Sequence, residues 1–524
     1  MARRAQPLNH APLGVTPGIV AALGVATLIL GALVAVLWRA EFASGLGRAD
    51  LLAVRFTLVQ AALSAVLSVA LAIPVARALA RRRFTGRRLL IALMGAPFIL
   101  PVIVAVLGLL AVFGRSGWVS QGLGLLGLEP LRIYGFHGVV LAHVFFNLPL
   151  ATRLILQGWQ EIPAERFRLA AQLGAGPAAI WRLLERPMLA RVVPGALAVI
   201  FAICLTSFAV ALTLGGGPRA TTVELAIYQA FRFDFDLARA ALLSAIQIAL
   251  TGAAAGLALK MAAGEGFGSG LDRAVRRWDA TGPVLRAQDG AAIGLAALFL
   301  LLPLAAIALN GAAGLLVLPA SVFRAAGNSI LIAGFSTAVL LAFAVPMAVA
   351  IALMRRPGWV EAAGLLGMAV SPLVIGTGLF IVIYPIADPV ALALPVTGLV
   401  NAAMALPFAL RILVPRARVV VADYSRLALS LNMPRGAFLR LVLWPRMRPQ
   451  IGFAAGLGAA LSMGDLGVIA LFADPEVATL PLQIYRLMGA YRLEAAAGAA
   501  LLLLLLSLVA FWLFDRGGRG HAEA

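Results

Sequence analysis

Runs of about 20 predominantly apolar residues recur along the whole chain, the length that about 30 Å of hydrocarbon demands of a helix. They predict twelve spans near residues 18–38, 56–80, 89–113, 135–158, 194–214, 237–263, 290–310, 327–354, 360–386, 391–414, 450–472 and 493–514. The runs are continuously apolar instead of alternating, which selects helices over a β-barrel, because a helix satisfies its own backbone donors and acceptors in lipid. The first run follows Met1 to Arg4 and is about twice as long as a secretory h-region, so it reads as a retained first helix. The expected fold class is an all-α polytopic membrane protein.

Composition then removes the alternatives. Of 524 residues 62% are hydrophobic and only 12% charged, far from the balance of a soluble domain. The net charge of +20 would suggest nucleic acid in a soluble chain, but its placement says otherwise. With the N-terminus in the cytoplasm, 28 of the 42 basic residues fall on cytoplasmic segments and 10 on the opposite side. That bias predicts both termini in the cytoplasm of an inner membrane, with stretches such as RRRFTGRR (81–88) as topology signals against lipid headgroups and no nucleic-acid partner. The one cysteine, Cys204, has no intramolecular partner and reads as a small buried apolar residue.

The chain also resembles itself. NLPLATRLI (147–155) matches ALPFALRIL (405–413) at an offset of 258, which also pairs Glu165 with Asp423, Arg168 with Arg426, Ala170 with Ala428 and Pro187 with Pro445. Near the start of each repeat, Thr57 matches Ser329 and Pro74 matches Pro346 at an offset of 272. The expected organisation is two six-helix halves, 1–263 and 290–524, joined by a cytoplasmic linker, 264–289. An even number of spans per half makes them parallel repeats about an axis along the membrane normal, with a pathway at their interface.

Between spans four and five of each half lies a cytoplasmic loop of about 30 residues, 160–189 and 420–447. Each is expected to begin with a short amphipathic helix; in the first, Phe167, Ala170, Ala171 and Leu173 are read as one face. A break follows at Gly174 to Pro177 or at Asn432 to Pro434, then a second helix runs to Pro187 or Pro445. A short apolar helix projecting from the membrane in both halves is a coupling helix suited to a partner's groove.

These loops resemble the EAA loop of ABC-type importer permeases, in which a Glu-Ala-Ala triplet is followed by three residues and a Gly, and a Pro lies thirteen residues beyond that Gly. Gly174 and Pro187 fit the spacing, as do Asn432 and Pro445. The departures are Arg168 and Arg426 in place of the triplet's Glu, and Asn432 in place of the Gly. Glu165 and Asp423, one turn earlier, either supply the missing charge or are acids favoured by a helix N-terminus. Within that family HVFFNLPLATRLILQGWQEIPAE (143–165) and TLGGGPRATTVELAIYQAFRFDFDLARAALLSAIQ (213–247) are most similar to permeases for thiamine and thiamine pyrophosphate. The resemblance implies a fused permease of an importer, two copies of a separate cytoplasmic ABC ATPase, a periplasmic substrate-binding protein and a small-molecule substrate, thiamine or its phosphates. Ferric iron importers share the layout and give an alternative substrate, and an ion-gradient-driven secondary transporter is the alternative of a different class.

Absent motifs bear on the energy source. A P-loop needs a lysine that reaches nucleotide phosphates, and the only lysine, Lys260, is followed by Met261. The chain is therefore read as a non-enzyme that draws on a partner's ATP hydrolysis. No paired-cysteine or HExxH metal site occurs, His10, His137, His143 and His521 are dispersed, and no cofactor or metal is expected.

Candidate pathway residues are sparse. On the outer face, 215–236 and its counterpart after Phe472 share Ile-Tyr at Tyr228 and Tyr485, and Glu224, Asp234, Asp236, Asp474 and Glu476 give that face negative charge for a cationic substrate. Asp465, at the end of a span, is the sharpest candidate, because an ionisable group there is costly unless it faces a cavity or a partner. Asn147 in span four is read first as an interhelical hydrogen-bonding group.

Overall fold

The computed structural model describes residues 13–41, 45–95, 100–217, 220–261, 282–472 and 477–519, and among them the chain is helical with no strands. In chain order the helices are α1 (Thr16–Arg39), α2 (Arg48–Arg81), α3 (Arg87–Leu93), α4 (Val102–Phe113), α5 (Trp118–Leu125), α6 (Phe136–Glu161), α7 (Ala164–Gln172), α8 (Pro177–Ile180), α9 (Arg186–Leu205), α10 (Ala209–Leu214) and α11 (Val223–Arg232). They continue as α12 (Leu237–Met261), α13 (Pro283–Gly314), α14 (Ala320–Leu353), α15 (Gly358–Leu365), α16 (Pro372–Ile383), α17 (Ala393–Ser430), α18 (Arg435–Phe438), α19 (Trp444–Met463), α20 (Gly467–Phe472), α21 (Leu480–Gly489) and α22 (Leu493–Arg519). Most of the 264–289 linker, with Asp474, Glu476, His10 and His521, lies outside the described residues.

Among the described residues eleven helical segments are long and apolar enough to cross a membrane, and a twelfth is gained if one bent pair counts as a single span. The bent pair corrects the span expected at 360–386: Gly358–Met368 and Pro372–Ile383 meet at 96°. Pro372 sits in the first turn of α16, where it has no N–H to give to the preceding helix, and Ser371 Oγ accepts from the Leu373 N–H at 3.1 Å to start the new one. The span expected at 89–113 is displaced as well: the apolar segment long enough to cross runs Val102–Leu125, through α4 and α5, with Pro101 as the cap of α4, and α3 lies ahead of it.

The chain forms two compact units, and neither is continuous in sequence: one comprises 40–322 with 481–504, the other 1–39 with 323–480 and 505–524. In the first, α13 packs on α4 so closely that a Cβ on Gly108 would stand 2.6 Å from the Pro303 carbonyl oxygen. In the second, α1 packs on α16, and a Cβ on Gly378 would stand 2.2 Å from the Ala32 carbonyl oxygen. Glycine at these points lets two backbones approach where hydrocarbon gives helices little hydrophobic reason to associate.

The sequence match between Thr57 and Ser329 has a structural meaning in each unit. Thr57 Oγ1 accepts from the Val223 N–H at 2.9 Å, and Ser329 Oγ accepts from the Leu480 N–H at 2.8 Å. Each hydroxyl satisfies the first backbone N–H of a short helix, α11 or α21, which has no partner within that helix.

Candidate functional site

The two loops singled out by the repeat share one local design. The Ala175 N–H donates to the Ala170 carbonyl and the Met433 N–H to the Ala428 carbonyl, both at 2.9 Å, closing α7 and the end of α17 in the same way. The residue at each turn is left-handed, Gly174 at φ 64° and Asn432 at φ 48°. Asparagine tolerates that region at modest cost, so the family's glycine is replaced without loss of the turn.

Beyond each turn the chain forms a four-residue helix and then a π turn, Trp181–Glu185 in one loop and Leu439–Leu443 in the other. The Arg186 N–H reaches the Trp181 carbonyl and the Trp444 N–H reaches the Leu439 carbonyl. Pro187 and Pro445 follow one residue later and explain the widening. A proline ring clashes with the carbonyl four residues back and offers it no N–H, and a wider turn relieves the clash. The required Pro of the motif is thus the cause of a shared irregularity at the base of each loop.

Glu165, Arg168, Gly174, Pro187, Asp423, Arg426, Asn432 and Pro445 are exposed, Ala170 is half-buried and Ala428 is buried. The faces differ from the expectation at two residues: Phe167 is buried and Ala170 half-buried, but Ala171 is exposed and Leu173 is 76% exposed, and Leu173 is the larger departure. Six helical steps of about 100° put the Phe167 and Leu173 side chains about 120° apart. The outward apolar pair is Leu169 with Leu173, repeated as Leu427 with Leu431, one turn apart in both loops. A second difference is that the second loop has no separate amphipathic helix at its start. α17 runs unbroken into it, whereas α6 ends at Glu161 with Ile162 extended ahead of Pro163. The residue before a proline avoids helical backbone, and Val421, which aligns with Pro163, imposes nothing of the kind.

Within the spans, polar groups gather where a helix is interrupted. α9 ends at Leu205 and α10 begins at Ala209, so the last carbonyls of α9 need partners that lipid does not provide. Gln60 Nε2 donates to the Cys204 carbonyl at 3.0 Å and Gln247 Nε2 to the Leu205 carbonyl at 2.9 Å. The His143 ring bridges Ser64 Oγ at 3.3 Å and Ser207 Oγ at 2.6 Å. Asn147 Nδ2 donates to the His143 carbonyl within α6 at 2.9 Å and to Cys204 Sγ of α9 at 3.4 Å, so the second of its bonds is the interhelical one. His143, Gln60 and Gln247 were not among the sequence candidates; the signal was a polar side chain inside an otherwise apolar run.

Tyr228 closes over this interruption, its ring 5.3 Å from that of Phe208. Burial pushes the Tyr228 phenol above its ordinary value, with Arg232 and Arg486 pulling it back. Burial raises the Tyr485 phenol as well, and the nearby Tyr228 adds to it. The acids assigned to the outer face from the sequence are less free than expected. Glu224 is buried, Asp234 pairs with Arg239 at 3.0 Å, and Asp236 accepts the Arg239 N–H at 2.9 Å as a cap for α12. Arg239 also holds Asp50 at 2.8 Å.

The corresponding interruption in the other unit, between α19 and α20, contains Asp465. Its Oδ1 accepts from the Gly467 N–H at 3.3 Å, and its Oδ2 is buried with no hydrogen-bond partner among the described residues. Among the described residues no group of three or more His, Cys, Asp or Glu side chains is placed to hold a metal ion.

A helical chain with eleven or twelve apolar spans, some broken at buried polar groups, and one loop design used twice has the architecture of a transport permease. The chain is 40% identical over 482 residues to the thiamine transport system permease protein of Brucella abortus (strain 2308), covering 90% of this chain and 88% of the relative. It is 38% identical over 547 residues to that of Salmonella typhimurium, covering 100% of both, and 33% identical over 488 residues to that of Haemophilus influenzae, covering 90% and 89%. No family model matches the chain. On these relatives the chain belongs to the thiamine transport system permease family.

Proposed function

We propose that this chain forms the translocation pathway of an ATP-binding cassette importer for thiamine or its phosphates, as an inner-membrane permease with both termini cytoplasmic. Two copies of a cytoplasmic ATPase dock on the 160–189 and 420–447 loops, and a periplasmic binding protein delivers substrate to the opposite face. The observation that carries this reading is the matched pair of exposed leucines, Leu169 with Leu173 and Leu427 with Leu431, each on a helix ended by a left-handed residue and based on a π turn. Apolar side chains one turn apart on a short projecting helix are what a groove on a partner recognises. Glu165 and Asp423, exposed on the same helices, are available for charged contact at the rim. The substrate assignment is tested in a strain lacking its own thiamine permease: expression of this chain with its ATPase and binding protein restores uptake of radiolabelled thiamine and leaves ferric iron uptake unchanged. Restored iron uptake without thiamine uptake overturns it.

Within the pathway Asp465 is the residue suited to a thiazolium cation. A buried carboxylate oxygen with no hydrogen-bond partner among the described residues gains from a passing positive charge, and the interruption between α19 and α20 exposes backbone ends beside it. Asp465→Asn keeps the shape and removes the charge, so KM for thiamine uptake rises about tenfold with assembly intact. A wild-type KM in that variant removes Asp465 from the pathway.

A further inference from the structure

One buried cluster of charges plays no part in packing that the repeat could not supply otherwise. Glu185, in the π turn at the base of the first loop, is 0% exposed. Its Oε2 accepts from Arg77 Nε at 2.8 Å and lies 2.7 Å from Arg77 Nη2. Its Oε1 accepts from Trp159 Nε1 at 3.4 Å and lies 3.6 Å from Arg81 Nη2. Asp289 in the first turns of α13 extends the cluster, 2.7 Å from Arg82 and 3.8 Å from Arg81. The Arg77 guanidinium also covers the Trp181 ring at 4.8 Å. Charges thus tie the first loop to the end of α2 and the start of α13.

The second half reaches the same local fold without them. At the repeat offsets Glu185 becomes Leu443, Arg77 becomes Val349, Arg81 becomes Leu353 and Trp159 becomes Ala417. Apolar replacements of a buried ion cluster commonly match or exceed its stability, so stability alone gives no reason for five charges here. What differs between the halves is how each loop joins its span. α17 runs into the second loop as one 38-residue helix, braced where Arg446 stacks on Tyr424 at 4.0 Å and offers its carbonyl to Arg416 at 3.1 Å. In the first loop Pro163 cuts α7 from α6, and that rod is missing.

We propose that Glu185 is a positioning residue that takes the place of the missing rod: through Arg77, Arg81 and Asp289 it passes movement of the first docking loop to α2 and α13, whereas the second loop moves its own span directly. The two loops then have unequal routes into one pathway. This rests on the reading of the loops as ATPase docking elements, and the test separates the two. The complex of this chain with its ATPase and binding protein is reconstituted in proteoliposomes, and ATP hydrolysis and radiolabelled thiamine uptake are measured together. Glu185→Gln keeps stoichiometric ATPase and its hydrolysis but lowers thiamine transported per ATP on the order of tenfold, because loop movement no longer carries α2 with it. Glu185→Asp, which retains the charge, recovers much of that ratio, and Val421→Pro, which cuts the second rod, lowers it in the same way. An unchanged ratio in Glu185→Gln overturns the proposal. So does loss of the ATPase from that variant alone, which would make Glu185 a residue that only folds the docking surface. If the wild-type chain itself binds no ATPase, the docking reading fails instead.

Discussion

Replacing Leu173 and Leu431 together with glutamate removes the ATPase from the purified complex. Both side chains are well exposed, 76% and 64%, so the substitutions cost the permease's own fold little. At a docked interface each leucine is worth about 2 kcal/mol when it fills a partner's pocket, and the introduced carboxylates must also be desolvated, so association falls on the order of a thousandfold. Each single variant retains one intact docking helix and gives an intermediate loss. Measuring the ratio of ATPase to permease after affinity purification, with far-UV circular dichroism to confirm the helices, decides the matter. Undiminished stoichiometric ATPase on the double variant would remove these helices from the docking surface.

Gly378→Val lowers the thermal stability of the permease by about 3 kcal/mol, more than a surface change anywhere on α16. A single Cβ at Gly378 would stand 2.2 Å from the Ala32 carbonyl oxygen and 2.8 Å from the Ala32 Cα, both backbone atoms that no side-chain rotation can clear. Either α1 moves away from α16 or the helices lose their contact. Gly334→Val is the control, because a Cβ on that glycine meets nothing within 4 Å. Thermal unfolding of the two variants in detergent compares them, and equal melting temperatures would mean that α1 does not rest on α16.

The membrane architecture was legible from the sequence because it follows from a one-dimensional quantity, the length of each apolar run, and the long apolar helices overlap the expected spans, although those expected at 89–113 and 194–214 lie at 102–125 and 177–205. The matched turns of the two loops were legible for a related reason. Gly174, Pro187, Asn432 and Pro445 are residues whose backbone limits are local, so their spacing alone announced a turn and a helix restart. Local rules also explain the failures. Apolar runs hide interruptions, so the bend at 96° before Pro372 passed as part of a straight span. Counting Leu173 with Phe167 went wrong because a cap residue lies beyond the turn that defines the face. The acids at Asp234 and Asp236 looked free until Arg239 and the start of α12 came beside them.

By itself the sequence determined that this protein lives in a membrane, that its two halves repeat one plan, and that each half carries a loop with a forced turn, since hydrophobic length and backbone restriction act within a few residues. Only the tertiary structure decided which carbonyls Gln60 and Gln247 satisfy, that α1 seats on α16 and α13 on α4, and that Glu185 meets Arg77 and Arg81. Those contacts join residues 42 to more than 300 positions apart, and their energies depend on distance in space, which no run of letters records.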